Sequence, residues 1–194
     1  ARALMRDRGF QTLAAGVSLG LFAQVGLLTH LFSLLVPALG TQRASFAVGS
    51  ATLLAIAGRT LVGWLMPAGA DRRLIACVSY GVQGVGSLVL AAAGGGDIPL
   101  LLLGLSLFGI GIGNATSLPP LIAQVEFVPA DTARVVPLVV SCSQGLYAFA
   151  PAAFGLLRPD IAAGLAGAGN APGVYLAAAA LQGLAILTLL AGRR

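Results

Sequence analysis

The amino-acid sequence predicts an all-α polytopic membrane protein built as a single bundle of six transmembrane helices. Of its 194 residues 58% are hydrophobic, 27 more are glycine, and only 9% are charged. Mean hydropathy is +0.96. These values exclude a soluble domain, in which about a quarter of the residues are charged, and a disordered chain. A lipid bilayer accepts such an apolar exterior when each helix satisfies its own backbone hydrogen bonds.

Six apolar stretches are long enough to cross a hydrocarbon layer of ~30 Å, which takes about 20 helical residues. We place the crossings at residues 10–36, 44–66, 73–94, 98–121, 134–157 and 172–191. Turn-forming residues separate them: Pro37 and Gly40 end the first, Pro67 and Gly69 the second, and Gly94 to Asp97 the third, while Pro129 and Asp131 precede the fifth and Arg158 to Asp160 follow it. Each boundary is therefore justified by residues that stop or start helices.

The distribution of arginine predicts the orientation of the bundle. All eleven basic residues are arginines, and the formal charge is +5. Eight flank one side of the predicted bundle, namely Arg2, Arg6, Arg8, Arg72, Arg73, Arg134, Arg193 and Arg194, whereas Arg43 and Arg158 flank the other. The positive-inside rule then places both termini in the cytoplasm, in what we expect to be a bacterial cytoplasmic membrane. Arginines scattered between apolar runs are typical of membrane flanks and not of a nucleic-acid surface, so we expect no nucleic-acid partner.

No enzyme active site, cofactor site or metal site is predicted. A G-x-S-x-G pattern spans residues 16–20, and His30 is the sole histidine. Ser18 and His30 lie about 18 Å apart along one helix, whereas a nucleophile and its base must be within ~3 Å. A chain without lysine has no Walker P-loop, and two cysteines with one histidine build no metal framework.

Glycine pairs predict close helix packing. Gly16 with Gly20, and Gly109 with Gly113, give the first and fourth crossings a small-xxx-small spacing. Such pairs let helix backbones approach in lipid. Their matching positions in the two halves of the chain also suggest a 3+3 inverted repeat.

Polar side chains inside the crossings are candidates for a substrate pathway: Gln24, His30, Asn114, Thr116, Gln144 and Tyr147. A polar group in the membrane must be paired or wetted, so lining a cavity and bonding to a neighbouring helix are the two alternatives. The unperturbed pKa of histidine, ~6.5, also allows His30 a role in proton coupling, with a structural role as the alternative. The crossings carry no acid near mid-depth, which disfavours a cation and leaves neutral and anionic solutes open.

The loop between the second and third crossings is the most informative segment. It contains Gly58, Arg59, Gly63, Gly69, Asp71, Arg72 and Arg73. Arg59 is too costly to leave facing lipid, so it must find a carboxylate or a helix C-terminus unless it extends to lipid phosphates. A contact of that kind can form in one conformation and break in another, which predicts a conformational-switch loop.

This loop resembles the signature loop that the major facilitator superfamily of secondary transporters carries in each half. Arg59, Gly63, Gly69 and the pair Arg72 and Arg73 correspond to the family pattern. Pro67 occupies the position of the usual aspartate, and Asp71 is the nearby acid, which from a shifted register would pair with Arg59 or Arg72.

Two further segments extend the resemblance over the whole chain. Gln144 and Gly145, followed by Pro151 and Gly155, are similar to the family's penultimate helix, and residues 114–120 are similar to its tenth. The resemblance implies the C-terminal six-helix half of a transporter that moves a small solute by alternating access, together with a second six-helix bundle. It also implies that the first and fourth helices line the cavity. The alternative is a membrane scaffold or subunit that transports nothing.

Overall fold

A computed structural model describes residues 2–67, 69–158 and 171–193. Over these residues the chain is helical and contains no strand. The helices are α1 (Arg2–Met5), α2 (Arg8–Leu39), α3 (Thr41–Leu65), α4 (Arg72–Ala92), α5 (Ile98–Ile112), α6 (Leu118–Glu126), α7 (Pro129–Tyr147), α8 (Ala150–Gly155) and α9 (Pro172–Ala191). The predicted all-α fold class is confirmed.

Five helical segments are long and apolar enough to cross a membrane: α2, α3, α4, α7 together with α8, and α9. A sixth apolar helix, α5, has 15 residues and spans about 22 Å at 1.5 Å per residue. The fourth predicted crossing therefore needs more than α5, and α6 continues it.

Outside the fourth crossing, the observed helix ends lie within about five residues of the predicted ranges. The observed α9 coincides with the predicted range 172–191. The prediction that Pro37 ends the first crossing is wrong, because α2 runs through Pro37 to Leu39. Pro37 lacks only the N–H that would have bonded to the Ser33 carbonyl, and α2 ends at Gly40, whose φ of +75° favours glycine.

The fourth crossing was predicted as one helix over 98–121, and that prediction is wrong. Helix α5 ends at Ile112, residues 113–117 form turns, and α6 begins at Leu118. Pro119 and Pro120 cannot donate to the carbonyls four residues earlier, but the first turn of a new helix requires no such donors. The fifth crossing is interrupted in the same way near Pro151, where α7 ends at Tyr147 and α8 begins at Ala150.

Glycines bring α3 and α5 into backbone contact. A Cβ added at Gly58 would overlap the Ile110 carbonyl, and one added at Gly113 would overlap the Ala55 carbonyl. The close packing predicted for the Gly109 and Gly113 pair is confirmed at Gly113, and Gly58 adds a second close approach. A Cβ at Gly63, by contrast, would meet no atom within 4 Å.

Two arginines from other segments bind near opposite ends of α2 and so distinguish the two ends of the bundle. Arg73 donates to the Gly9 carbonyl near the start of α2, and Arg158 donates to the Ser33 hydroxyl near its end. Twenty-four residues separate Gly9 from Ser33, which is about 36 Å of helix. Arg73 and Arg158 therefore lie on opposite ends, as the arginine distribution predicts. We call these the Arg73 end and the Arg158 end.

Candidate functional site

Two adjoining cavities share Gln24 of α2 and Thr116 in the α5–α6 break. The α7-side cavity has a volume of about 380 Å³ and is lined by Val17, Leu21, Gln24, Val25, Ala115, Thr116, Pro119, Val140, Ser143, Gln144 and Tyr147. The α3-side cavity has a volume of about 360 Å³ and is lined by Gln24, Thr52, Ala55, Ile56, Arg59, Thr60, Ile112, Gly113 and Thr116. Both volumes fall in the range of small-molecule sites, ~300–1,000 Å³.

Gln24 lies between the cavities with its hydrogen-bonding capacity unused. Its side chain is 7% exposed, and its buried Oε1 has no hydrogen-bond partner among the described residues. Leaving a buried polar group unpaired costs roughly 1–3 kcal/mol. Gln24 therefore contributes little to the stability of the fold at this position.

The break between α5 and α6 leaves carbonyls without helical donors, and Arg59 of α3 binds there. Its Nε donates to the Gly113 carbonyl at 2.7 Å, and a terminal nitrogen donates to the Thr116 hydroxyl at 2.7 Å. The prediction that Arg59 finds a helix C-terminus is confirmed, since Gly113 is the C-cap residue of α5. Within the described ranges no carboxylate pairs with Arg59.

All three arginines of the predicted switch loop hold the broken α5–α6 segment. Arg59 binds the break itself, and Arg72 donates to the Leu121 carbonyl in α6 at 2.9 Å. Arg73 binds both carboxylate oxygens of Glu126, at 2.5 and 2.7 Å, where α6 ends. The half-helix α6 is thus held by α4 at Leu121 and Glu126, and the break that precedes it is held by α3.

Arg73 joins four helices at the Arg73 end. Besides Glu126 it donates to the Gly9 carbonyl at 2.8 Å, the Thr12 hydroxyl at 3.0 Å and the Leu189 carbonyl at 3.1 Å. The five N–H groups of the guanidinium meet five acceptors, and the residue is 1% exposed. Glu126 was missed by the sequence analysis. Its negative charge just beyond the predicted fourth crossing, on the same side as paired arginines, was the available signal.

Asp71 does not pair with Arg59 or Arg72, so that prediction is wrong. Its Oδ1 accepts from the backbone N–H groups of Arg73 and Leu74 and caps α4, while its Oδ2 accepts from Arg193 at 2.7 Å. Partial burial by itself raises the pKa of Asp71, but the hydrogen bonds from Leu74 and Arg193 outweigh it and lower the pKa below its ordinary value of 3.8. Asp71 starts α4 because a short acceptor side chain at the N-cap satisfies the free N–H groups there.

The structure brings four of the six predicted pathway residues together and leaves two elsewhere. Gln24, Thr116, Gln144 and Tyr147 line the cavities. Asn114, 2% exposed, faces α4 and lines a separate void of about 10 Å³ with Ser79 and Tyr80.

His30 lies outside both cavities, toward the Arg158 end. Its Nε2 is 2.9 Å from the Pro151 carbonyl. A carbonyl only accepts, so Nε2 donates in this contact. In this conformation His30 therefore joins α2 to α8, the structural alternative that its sequence position left open.

The sequence analysis also missed a cluster of three polar side chains in the core. Gln83, Ser87 and Gln182 are fully buried. Gln83 donates to the Gly111 carbonyl at 3.0 Å, Ser87 donates to Gln182 Oε1 at 3.3 Å, and Gln182 donates to Gln83 Oε1 at 3.3 Å. These bonds connect α4, α5 and α9. Glutamines inside the third and sixth apolar runs were the available signal, and here they serve interhelical bonding.

The fold is similar to that of a solved transporter. The crystal structure of the POT family transporter PepTSo, determined in meso, matches with a TM-score of 0.78 and 18% sequence identity. The match covers 96% of this chain and 37% of that chain. No protein-family model and no curated protein matches the sequence. At this identity the likeness establishes a polytopic transporter fold for this chain.

Proposed function

We propose that the chain is one six-helix half of a secondary transporter of the major facilitator superfamily, the C-terminal half, which moves a small solute by alternating access. The observation that carries the proposal is the unpaired, buried Gln24 between two cavities beside an interrupted helix. Interrupted helices around a polar cavity are the usual construction of a transporter site. The transporter fold agrees with this interpretation.

The proposed pathway runs past Gln24, Thr116, Gln144 and Tyr147. These side chains present amide and hydroxyl groups to the α7-side cavity, while its remaining lining is mostly apolar. A small number of polar groups in an apolar cleft is typical of small-molecule recognition. His30 and Asn114 stay predictions, because neither lines a cavity in this conformation.

The proposed switch consists of the hydrogen bonds and the ion pair that connect Arg59, Arg72 and Arg73 to the α5–α6 segment. The proposed switch loop also includes Gly58 and Gly63 within α3, Gly69 between α3 and α4, and Asp71 at the N-cap of α4. If α6 moves when the bundle rocks, the contacts to Gly113 and Leu121 must break and reform, whereas the doubly bonded pair of the buried Arg73 with the partly buried Glu126 stays closed. Alternating access needs such contacts to have two arrangements.

A second six-helix bundle is the proposed partner, with lipid around the remaining surface. Helix α3 and the α7–α8 segment are the least covered of the spanning helices, and Trp64 of α3 is 83% exposed. The chain also spans 37% of the length of the solved transporter. We place the arginine-rich Arg73 end, with both termini, in the cytoplasm, in a bacterial cytoplasmic membrane.

Solute flux through the complete protein in proteoliposomes tests the proposal. Gln24→Ala and Gln144→Ala are expected to lower flux by about tenfold, the loss of one interaction of ~1.4 kcal/mol. Thr188→Ala is the matched control, because its hydroxyl is exposed and bonds only within α9. Unchanged flux in both cavity variants would overturn the pathway. A complete protein that moves no solute under any gradient would instead favour the scaffold.

A further inference from the structure

The guanidinium of Arg59 presents an unused edge at the α3-side cavity. Its Nε and one terminal nitrogen donate to Gly113 and Thr116. An arginine has five N–H donors, so three N–H groups on the two terminal nitrogens are left. The two bonds hold the plane of the group in place, and the free edge has the geometry that binds a carboxylate through two parallel hydrogen bonds.

The charge of Arg59 is not neutralised by the described part of the chain. Its five acidic residues act elsewhere: Glu126 binds Arg73, Asp71 binds Arg193, Asp7 and Asp97 cap α2 and α5, and Asp131 lies in the first turn of α7. Both acceptors of Arg59 are neutral oxygens. A cation within a membrane-spanning helix requires a counter-charge or water.

The cavity beside Arg59 offers further hydrogen bonds and no negative charge. Arg59 is its single charged lining residue, and the others with polar side chains are Gln24, Thr52, Thr60 and Thr116. The amide of Gln24 is more than nine-tenths buried and has an unpaired oxygen. A cationic solute would meet repulsion from Arg59 without any compensating acid, whereas an anion would meet an oriented guanidinium.

We infer that the α3-side cavity binds the carboxylate of a small organic anion, with the free edge of Arg59 as the anion contact. This inference rests on the proposed transport function and names the solute class of that site. Gln24 and the threonine hydroxyls bind the polar remainder of the solute. Arg59 then has two roles, because the same guanidinium holds the α5–α6 break and binds the anion.

Thermal unfolding of the complete protein in zwitterionic nanodiscs tests the inference. The probes are a panel of aliphatic and aromatic carboxylates, each beside its neutral amide, such as benzoate with benzamide and succinate with succinamide. We expect at least one carboxylate to raise the melting temperature and its amide to have no effect. Arg59→Gln should abolish the shift, and Arg59→Lys should weaken binding by about tenfold, because lysine lacks the planar fork.

Arg43→Gln is the matched control, since Arg43 is exposed on the same helix outside both cavities. If Arg59→Gln does not fold, Thr116→Val provides a second variant, which removes the hydroxyl that orients Arg59 and should weaken carboxylate binding severalfold. A carboxylate shift that survives in Arg59→Gln, or that is undiminished in Thr116→Val where Arg59→Gln does not fold, would overturn the inference.

Two further outcomes separate the alternatives. If anionic phospholipid stabilises the protein through Arg59 and soluble carboxylates do not, the anion is a lipid phosphate and the inference fails. If the protein transports a neutral solute equally well with Arg59→Gln, the anionic class fails while the transporter proposal stands. Transport of a carboxylate supports both proposals when Arg59→Gln also abolishes the melting-temperature shift that this carboxylate causes.

Discussion

Arg59 and Arg73 belong to one short segment, yet the protein uses them in opposite ways. Arg73 is buried and meets five acceptors, including both oxygens of Glu126. Arg59 is exposed at a cavity, meets two neutral oxygens and keeps one edge free. A fully paired group is a fixed anchor, whereas a partly paired group can exchange partners at low cost. The difference between the two residues therefore separates what holds the bundle from what can act on a solute.

Buried glutamines show the same contrast. Gln83 and Gln182 are bonded to each other and to their neighbours in the core. Gln24 is almost as buried and leaves its oxygen unpaired beside the cavities. The hydrogen bonds of Gln83 and Gln182 explain their presence by the stability of the fold. The unpaired oxygen of Gln24 has no such explanation.

Removal of the Arg73 carboxylate partner should have the largest effect. Glu126→Ala leaves a buried guanidinium without counter-charge, and breaking such a pair costs roughly 3–5 kcal/mol. We expect a correspondingly large fall in stability in detergent, measured by thermal or denaturant unfolding. The control is Arg193→Gln, which breaks the half-exposed pair with Asp71 and should cost less than about 1 kcal/mol. Equal losses in the two variants would show that Arg73 is not an anchor.

Substitution of Gly58, the neighbour of Arg59 on α3, should have the next largest effect. In Gly58→Val the added atoms overlap the Ile110 carbonyl and push α3 away from α5, at a cost of about 1–3 kcal/mol. The displacement also separates Arg59 from the α5–α6 break. Gly63→Val on the same helix meets open space and should leave unfolding unchanged within about 0.5 kcal/mol. The comparison fails if both valines are tolerated equally.

Two glutamine substitutions of identical chemistry should change stability in opposite directions. Gln182→Leu removes bonds from a closed network and should destabilise by about 1–2 kcal/mol. Gln24→Leu removes an unpaired polar group and should be neutral or stabilising by up to about 1 kcal/mol, while it lowers solute flux. Parallel unfolding and flux measurements decide this. Destabilisation by Gln24→Leu would mean that Gln24 serves the core.

The Asp71–Arg193 pair should have the smallest effect and should depend on pH. The pKa of Asp71 is lowered in the folded protein, so the pair contributes stability above the unfolded value of 3.8 and loses it as the pH falls through the lower folded value. Asp71→Asn keeps a capping acceptor and removes the charge, at a cost below about 1 kcal/mol near neutral pH. The difference between Asp71→Asn and the natural protein should vanish in strong acid and shrink in high salt. A difference that persists in strong acid would point to the cap as its source.

Much of the fold could be predicted from composition and from the residues that start and end helices. Most of the hydrogen-bond partners of the polar side chains could not. The bounds of α9 follow from an uninterrupted apolar run, and the close contact at Gly58 follows from the lack of a side chain. The α5–α6 break was missed because Pro119 and Pro120 start a second helix as readily as they end the first. Asn114 and Thr116 lie two residues apart, but the turns between the helices direct one toward α4 and the other into the cavities. The partners of Arg73 come from three other helices distant in sequence, and no local pattern specifies such a set.

Water access to Thr116 tests most directly whether the Gln24 cavities form a pathway. In a background without Cys77 and Cys142, the complete protein with Thr116→Cys is treated in membranes with a membrane-impermeant thiol reagent. Ser87→Cys, fully buried in the paired core, is the reference. We predict that Thr116→Cys reacts and is protected by transported solute, while Ser87→Cys stays unmodified. If Thr116→Cys is as unreactive toward the reagent as Ser87→Cys in the absence of solute, a solvated pathway at this site is contradicted.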